Sequence, residues 1–194
     1  MPVTLQWIGP ALAMAVLGAS LAAIGRLGIA GRSVLAVIFA AATIVPVGPY
    51  ALAPVMLSLA GPASAALLVL LMQGLGTMLL GQCAVFRPSL YFAAAIVLMG
   101  LVLYPGTLGW TSVDPFDWGY RGLTVPALMA ILVAAGFIGK VIDLPCWIGL
   151  AALMHVIDAY GTTNLWPYLI DPVAVLIAAA WLAIEPMRLQ TSNA

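Results

Sequence analysis

The chain has 194 residues, of which 65% are apolar and only 6% charged, and its mean hydropathy is +1.19. A water-soluble domain averages roughly 45–50% apolar and about 25% charged residues, so an aqueous fold of this size has no means of burying so much apolar surface. Six basic and six acidic residues cancel, which excludes the basic footprint of a nucleic-acid binder and the polybasic patch of a membrane-surface protein.

The composition predicts an all-α integral membrane protein whose main partner is the lipid bilayer. A crossing takes about 20 mainly apolar residues, and charges, prolines and glycines punctuate the chain at that scale. The first span is expected from Leu5 to Gly25. The stretch MPVTLQWIGP before and within it has no basic n-region and no small-residue cleavage site, so it reads as a retained span and not a signal peptide. A basic turn, Arg26 to Arg32, follows. From Ser33 to Phe86 there are 54 residues without a charge, which suits two crossings, broken either at Pro46–Pro54 or at Gly61-Pro62. Arg87-Pro88 ends them. A fourth span, residues 89–104, stops at Pro105-Gly106. An outer loop, residues 105–124, carries Asp114, Asp117 and Arg121 among Trp110, Phe116, Trp118 and Tyr120, the composition of an aromatic belt. Val125 to Gly139 is the fifth span, Pro145 to Ile157 the sixth and Pro172 to Ile184 the seventh, the last ended by Glu185-Pro186 and Arg188. The turn between the last two, Asp158 to Asp171, adds Tyr160, Trp166 and Tyr168 to the same belt.

Alternating the connections puts Arg26, Arg32, Arg87, Lys140 and Arg188 on one side and Arg121 alone on the other. The positive-inside rule makes the first side cytoplasmic, with the N-terminus outside and the C-terminus inside. The expected location is therefore the cell (inner) membrane, multi-pass. Cys83 and Cys146 both fall near cytoplasmic basic residues and are expected to be free thiols.

An internal repeat is expected. Pro10-Ala11-Leu12 matches Pro126-Ala127-Leu128, Ile24-Gly25-Arg26 matches Ile138-Gly139-Lys140, and Pro49-Tyr50 with Pro54-Val55 matches Pro167-Tyr168 with Pro172-Val173, at offsets of 116, 114 and 118 residues. One transmembrane domain, 1–194, would then hold a first repeat (5–86), a linker helix (89–104), the outer loop and a second repeat (125–188). An odd linker keeps two three-helix units parallel, an arrangement found in some facilitators. Ala11, Ala15, Ala19 and Ala23 recur every four residues, and Ala127, Ala135 and Gly139 stand in corresponding places. Small residues so spaced let helices approach closely in lipid.

Few residues could carry chemistry at membrane depth. His155 is the sole His, with Asp158 at i+3 and Asp171 opening the next span. An intramembrane ionisable group suggests function, here an outward-facing vestibule that binds a cation or relays a proton. Gln73 and Thr77, at i and i+4, would line a polar path or hold helices together. Lys140 and Asp143 read as a solvated pair and topology anchor. No catalytic motif, phosphate loop, metal-ligand set or cofactor motif is present in the sequence. The expected function is a small transporter or facilitator of a small neutral or cationic solute. The alternative is a non-catalytic membrane subunit or assembly factor, partnered by a membrane protein or by its own copies. A third reading is an intramembrane enzyme acting on lipid, with His155 and Asp158 as acid–base pair.

Overall fold

The computed structural model describes residues 7–47, 50–80, 87–120 and 122–191. It is helical almost throughout. The helices are α1 (Ile8–Ile24), α2 (Ile29–Ala42), α3 (Leu52–Ala60), α4 (Ala65–Leu80), α5 (Leu90–Thr107), α6 (Thr124–Gly139), α7 (Asp143–Val156), α8 (Trp166–Leu169) and α9 (Pro172–Thr191). A 3-10 turn, Pro115–Gly119, lies between α5 and α6. One two-residue antiparallel pair, β1 (Pro46–Val47) with β2 (Tyr50–Ala51), sits between α2 and α3. Among the described residues α5 alone, at 18 residues, is long and apolar enough to cross a membrane, and six further apolar helices are shorter.

Prolines explain many of the helix starts. Pro10, Pro54, Pro126 and Pro145 each stand third in their helix and Pro172 stands first in α9. There a missing N–H removes no intrahelical bond. Three helices end in the same way. Arg26 (φ 57), Lys140 (φ 55) and Asp158 (φ 51) adopt the left-handed conformation after α1, α6 and α7. The amide that follows each reaches back five residues, Leu27 to the Ala22 carbonyl, Val141 to Gly136 and Ala159 to Met154, at 2.8–3.0 Å. This Schellman bonding supplies donors to carbonyls that the helix leaves unpaired.

Several sequence boundaries are corrected. The uncharged stretch 33–86 breaks at both expected places and, over its described part, forms three helices, because Gly61 (φ 72) before Pro62 separates α3 from α4. α5 runs through Pro105 to Thr107 instead of stopping at Tyr104. The Leu108 amide continues the ladder to Tyr104, and the extra turn brings Gly106 against Pro115. α9 likewise continues past Glu185-Pro186 to Thr191. α7 begins at Asp143 and ends at Val156. Cys146 is a free, exposed thiol; Cys83 and Arg121 lie outside the described residues.

The chain forms two compact units, Met1–Ala63 with Leu67–Arg87, and Ser64–Ala66 with Pro88–Ala194. In the first, α1 and α2 meet at Gly18, where a Cβ would lie 2.5 Å from the Leu35 carbonyl oxygen. Ala15, Ala19 and Ala36 form its centre, with Ala40, Leu75, Met78 and Leu79 packed around them. The buried face of α1 is thus Ala15, Gly18, Ala19 and Ala22, while Ala11 and Ala23 are only partly covered. Arg32 reaches across to donate to the Met78 carbonyl at 3.0 Å, placing a cation at the negative end of α4. The four-residue stripe therefore holds only in its middle.

In the second unit the corresponding stripe fails: Ala127, Ala135 and Gly139 are exposed, and α6 buries Val125 and Gly136 instead. Gly136 meets Pro145 of α7, and Gly100 of α5 meets Val175 of α9. Trp147 is wholly buried, edge-on to Phe92 with ring centroids 5.5 Å apart, and its indole N–H donates to the Leu169 carbonyl at 2.8 Å.

Candidate functional site

Two ends of the second unit are polar, for different reasons. At one end the turn between α6 and α7 meets the start of α5. Asp143 is buried and its carboxylate accepts from the Ser89 amide at 2.7 Å. Ser89 itself caps α5 through the Phe92 amide. Asp143 is therefore a buried tie between helix starts, not a solvated partner of Lys140. The reason is geometric: Lys140 takes the left-handed turn and points to the exposed surface while Asp143 enters the next helix.

At the other end the loops after α5 and α7 are stitched together. The Asn164 side chain donates to the Phe116 carbonyl and accepts from the Trp166 amide. Trp166 Nε1 donates to the Pro115 carbonyl at 2.8 Å, and the Leu165 amide donates to Gly119 at 3.1 Å. Trp110, Trp118 and Tyr120 of the first loop are exposed, as a belt requires, but Trp166 and Tyr168 are buried. Their polar tips found partners inside the loop structure instead of at a water boundary.

The ionisable residues gather at this second end. Asp171 is 8% exposed and accepts from two amides, Ala174 at 2.8 Å and Ser64 at 2.9 Å. It caps α9 and also neutralises the start of α4. Its charge lies near the Tyr160 phenol in the adjoining loop. Burial first, then the Asp171 carboxylate and the neighbouring Tyr168, hold the Tyr160 phenol above its ordinary value of 10.0, so it stays neutral at physiological pH. Tyr160 stacks on Tyr168 at 5.0 Å, and the His155 ring stands edge-on to Tyr168 at 5.1 Å. The Tyr168 hydroxyl donates to the Thr162 carbonyl at 3.0 Å, with Asp158 Oδ1 3.5 Å away. His155 is half-buried, and its Nδ1 is buried without a hydrogen-bond partner.

His155 and Asp158 do not share a helix face. α7 ends at Val156, and Asp158 is exposed in its left-handed turn. Tyr168 joins the two instead. His155 occupies the last turn of α7, nearer the helix end than mid-span. Asp171 is a buried cap and not an open vestibule carboxylate. Gln73 and Thr77 belong to the other unit. The Thr77 hydroxyl donates to Gly74 of its own helix at 2.8 Å, whereas Gln73 is buried with Oε1 unpartnered.

Sequence reasoning named His155, Asp158 and Asp171 but took Tyr160 and Tyr168 only as belt residues and missed Ser64 and Asn164 as members. The Thr-Thr-Asn run at 162–164 is a turn signal that could have marked Asn164. Ser64 reaches Asp171 across a long sequence separation and left no local trace. Among the described residues no group of three His, Cys, Asp or Glu side chains could hold a metal. No family model, curated protein or solved structure matches the chain.

Removing the Asp171 carboxylate takes an acceptor from two buried amides. Each such loss costs about 1–3 kcal/mol, so Asp171→Ala is expected to destabilise the fold by about 2–5 kcal/mol, and Asp171→Asn, which retains one carbonyl acceptor, by roughly half. Denaturant unfolding in detergent micelles checks both values. A cost below about 1 kcal/mol for the alanine variant would show that the amides have other acceptors.

Proposed function

We propose that the chain is a seven-span inner-membrane protein, N-terminus outside and C-terminus inside, that moves a small neutral or cationic solute. The observation that carries the membrane reading is the apolar surface of its long helices. Ile24 is 79% exposed, Leu59 83%, Ile138 84% and Val156 80%, although the interior is itself apolar, with Phe92, Ile96, Trp147 and Leu169 wholly buried. A soluble protein rarely exposes large apolar residues on all of its longer helices, whereas lipid is their proper solvent. Helices of 14–20 residues reach ~21–30 Å, near the ~30 Å of hydrocarbon. The ends agree with the orientation within each unit. The Arg26–Arg32 turn lies at the C-terminal end of α4, the Lys140 turn lies near Ser89, and the aromatic loops join at the opposite end.

A duplication is part of the same proposal. Each half runs helix, basic left-handed turn, helix, loop, short helix, helix, and Arg26 and Lys140 adopt the same turn with the same bonds. The halves differ after the short helix, where α4 follows a break at Gly61 and α9 follows Asp171 directly.

For transport, the supporting feature is the cluster of Tyr160, Tyr168 and the unpartnered His155 Nδ1, with the exposed Asp158 carboxylate 3.5 Å from the Tyr168 hydroxyl. Aromatic faces, hydroxyls and one carboxylate suit an ammonium-like or neutral hydrogen-bonding solute. The test is thermal stabilisation of purified protein by a panel of small alkylammonium ions, amides and polyols, since a true ligand raises the melting temperature by mass action. At least one compound should stabilise the wild type and not His155→Ala. A flat panel would favour the second reading, a non-catalytic membrane subunit. That reading is favoured by one observation of its own, the use of both buried carboxylates, Asp143 and Asp171, as helix ties.

A further inference from the structure

A second, separate feature of the Pro88–Ala194 unit is a cavity of about 350 Å³ bounded by α5, α6 and the two stitched loops. Its walls are Leu98, Met99 and Val102 of α5, Val125 and Leu128 of α6, and the indoles of Trp118 and Trp166. Leu98 and Val102 are 62% and 53% exposed, so the cavity opens sideways through the apolar flank of α5. Its upper edge is Trp118 and the exposed Thr124, at the level of the aromatic loops.

The chemistry of the lining decides what fits. The lining surface is almost wholly apolar, and the Trp166 N–H is already bonded to the Pro115 carbonyl at 2.8 Å. A polar solute would leave its own donors and acceptors unpaired there, and water needs two to four polar partners that these walls lack. An apolar chain meets neither penalty. The opening is continuous with the lipid-facing side of α5, where Leu98, Leu101 and Val102 are all exposed, and the loop edge lies where headgroups would lie.

We infer that this cavity is a binding site for one acyl chain of an outer-leaflet lipid, entering between Leu98 and Leu128 with its headgroup at the Trp118–Thr124 edge. The inference rests on the membrane reading above and is independent of transport. A lipid so held would fill the gap beside the α5–α6 pair and fix the stitched loops at the bilayer surface.

The test uses the full chain in vesicles of phosphatidylethanolamine and phosphatidylglycerol, a fraction of the former carrying a diazirine in one acyl chain. After irradiation, adducts are mapped by mass spectrometry. Adducts on Leu98, Val102 and Leu128 should exceed those on the more exposed Leu101 and Leu176. Leu128→Trp, which fills the cavity, should lower the Leu98 and Val102 adducts about tenfold and leave those on Leu101 unchanged. Met99→Phe fills the same space from the opposite wall and should act alike if Leu128→Trp folds poorly. Adducts spread evenly over exposed residues, insensitive to both variants, would overturn the lipid site while leaving the membrane reading intact. Protein that neither floats with the vesicles nor forms adducts would overturn both.

Discussion

Trp147→Ala should destabilise the second unit by about 3–5 kcal/mol, the range for truncating a fully buried aromatic. Trp147 is 0% exposed and ties three elements: it sits on α7, meets Phe92 of α5 edge-on, and holds the Leu169 carbonyl of α8. Alanine leaves a cavity and an unpaired carbonyl together. Trp147→Phe keeps an aromatic ring beside Phe92 but loses the hydrogen bond and part of the indole's packing, so about 1–3 kcal/mol is expected. Because Leu169 adjoins Tyr168, the alanine variant should also loosen the His155–Tyr168 pair. Denaturant titration in micelles measures the stability, and histidine ring NMR reports the loosening. Equal costs for the two variants would mean that packing contributes little beside the hydrogen bond.

Gly18→Val should be the most damaging single change in the first unit. An added Cβ would sit 2.5 Å from the Leu35 carbonyl oxygen and 2.9 Å from its carbon. Backbone atoms cannot swing aside, so α1 and α2 must part, and overpacking of this kind costs about 1–3 kcal/mol or more. Gly149→Ala is the control of opposite sign. It lies inside α7 with nothing within 4 Å of its added Cβ, so relief of unfolded-state entropy should stabilise by about 0.4–1 kcal/mol. Thermal unfolding of both variants checks the pair. A silent Gly18→Val would show that the α1–α2 contact is not tight.

Helix ends were more legible in the sequence than helix faces. Prolines, glycines and basic residues mark ends through local chemistry, and Arg26 and Lys140 close their helices where the pattern places them. Pro105 and Pro186 misled, because each lies inside a helix near its C-terminal end. Faces were illegible because the helices are apolar on nearly all sides, and periodicity then carries no direction. That is why Ala127 and Ala135 were expected inside and lie exposed. The site was half legible. His155, Asp158 and Asp171 stand out as rare ionisable residues, but the left-handed turn at Asp158 moved it off the helix face. The amides that claim Asp171 belong to residues 64 and 174, and the first of these is visible only in three dimensions.

The central claim is that the stitched aromatic loops and the basic turns lie on opposite sides of a membrane. Single cysteines at Ser112, Thr163, Gly28 and Lys140, in a chain with Cys83 and Cys146 replaced by serine, test it with a membrane-impermeant maleimide on intact bacterial cells. All four positions are exposed. The cysteines at 112 and 163 should label in intact cells, and those at 28 and 140 only after permeabilisation. Equal labelling of all four, or labelling of none until the cells are opened, would contradict the account.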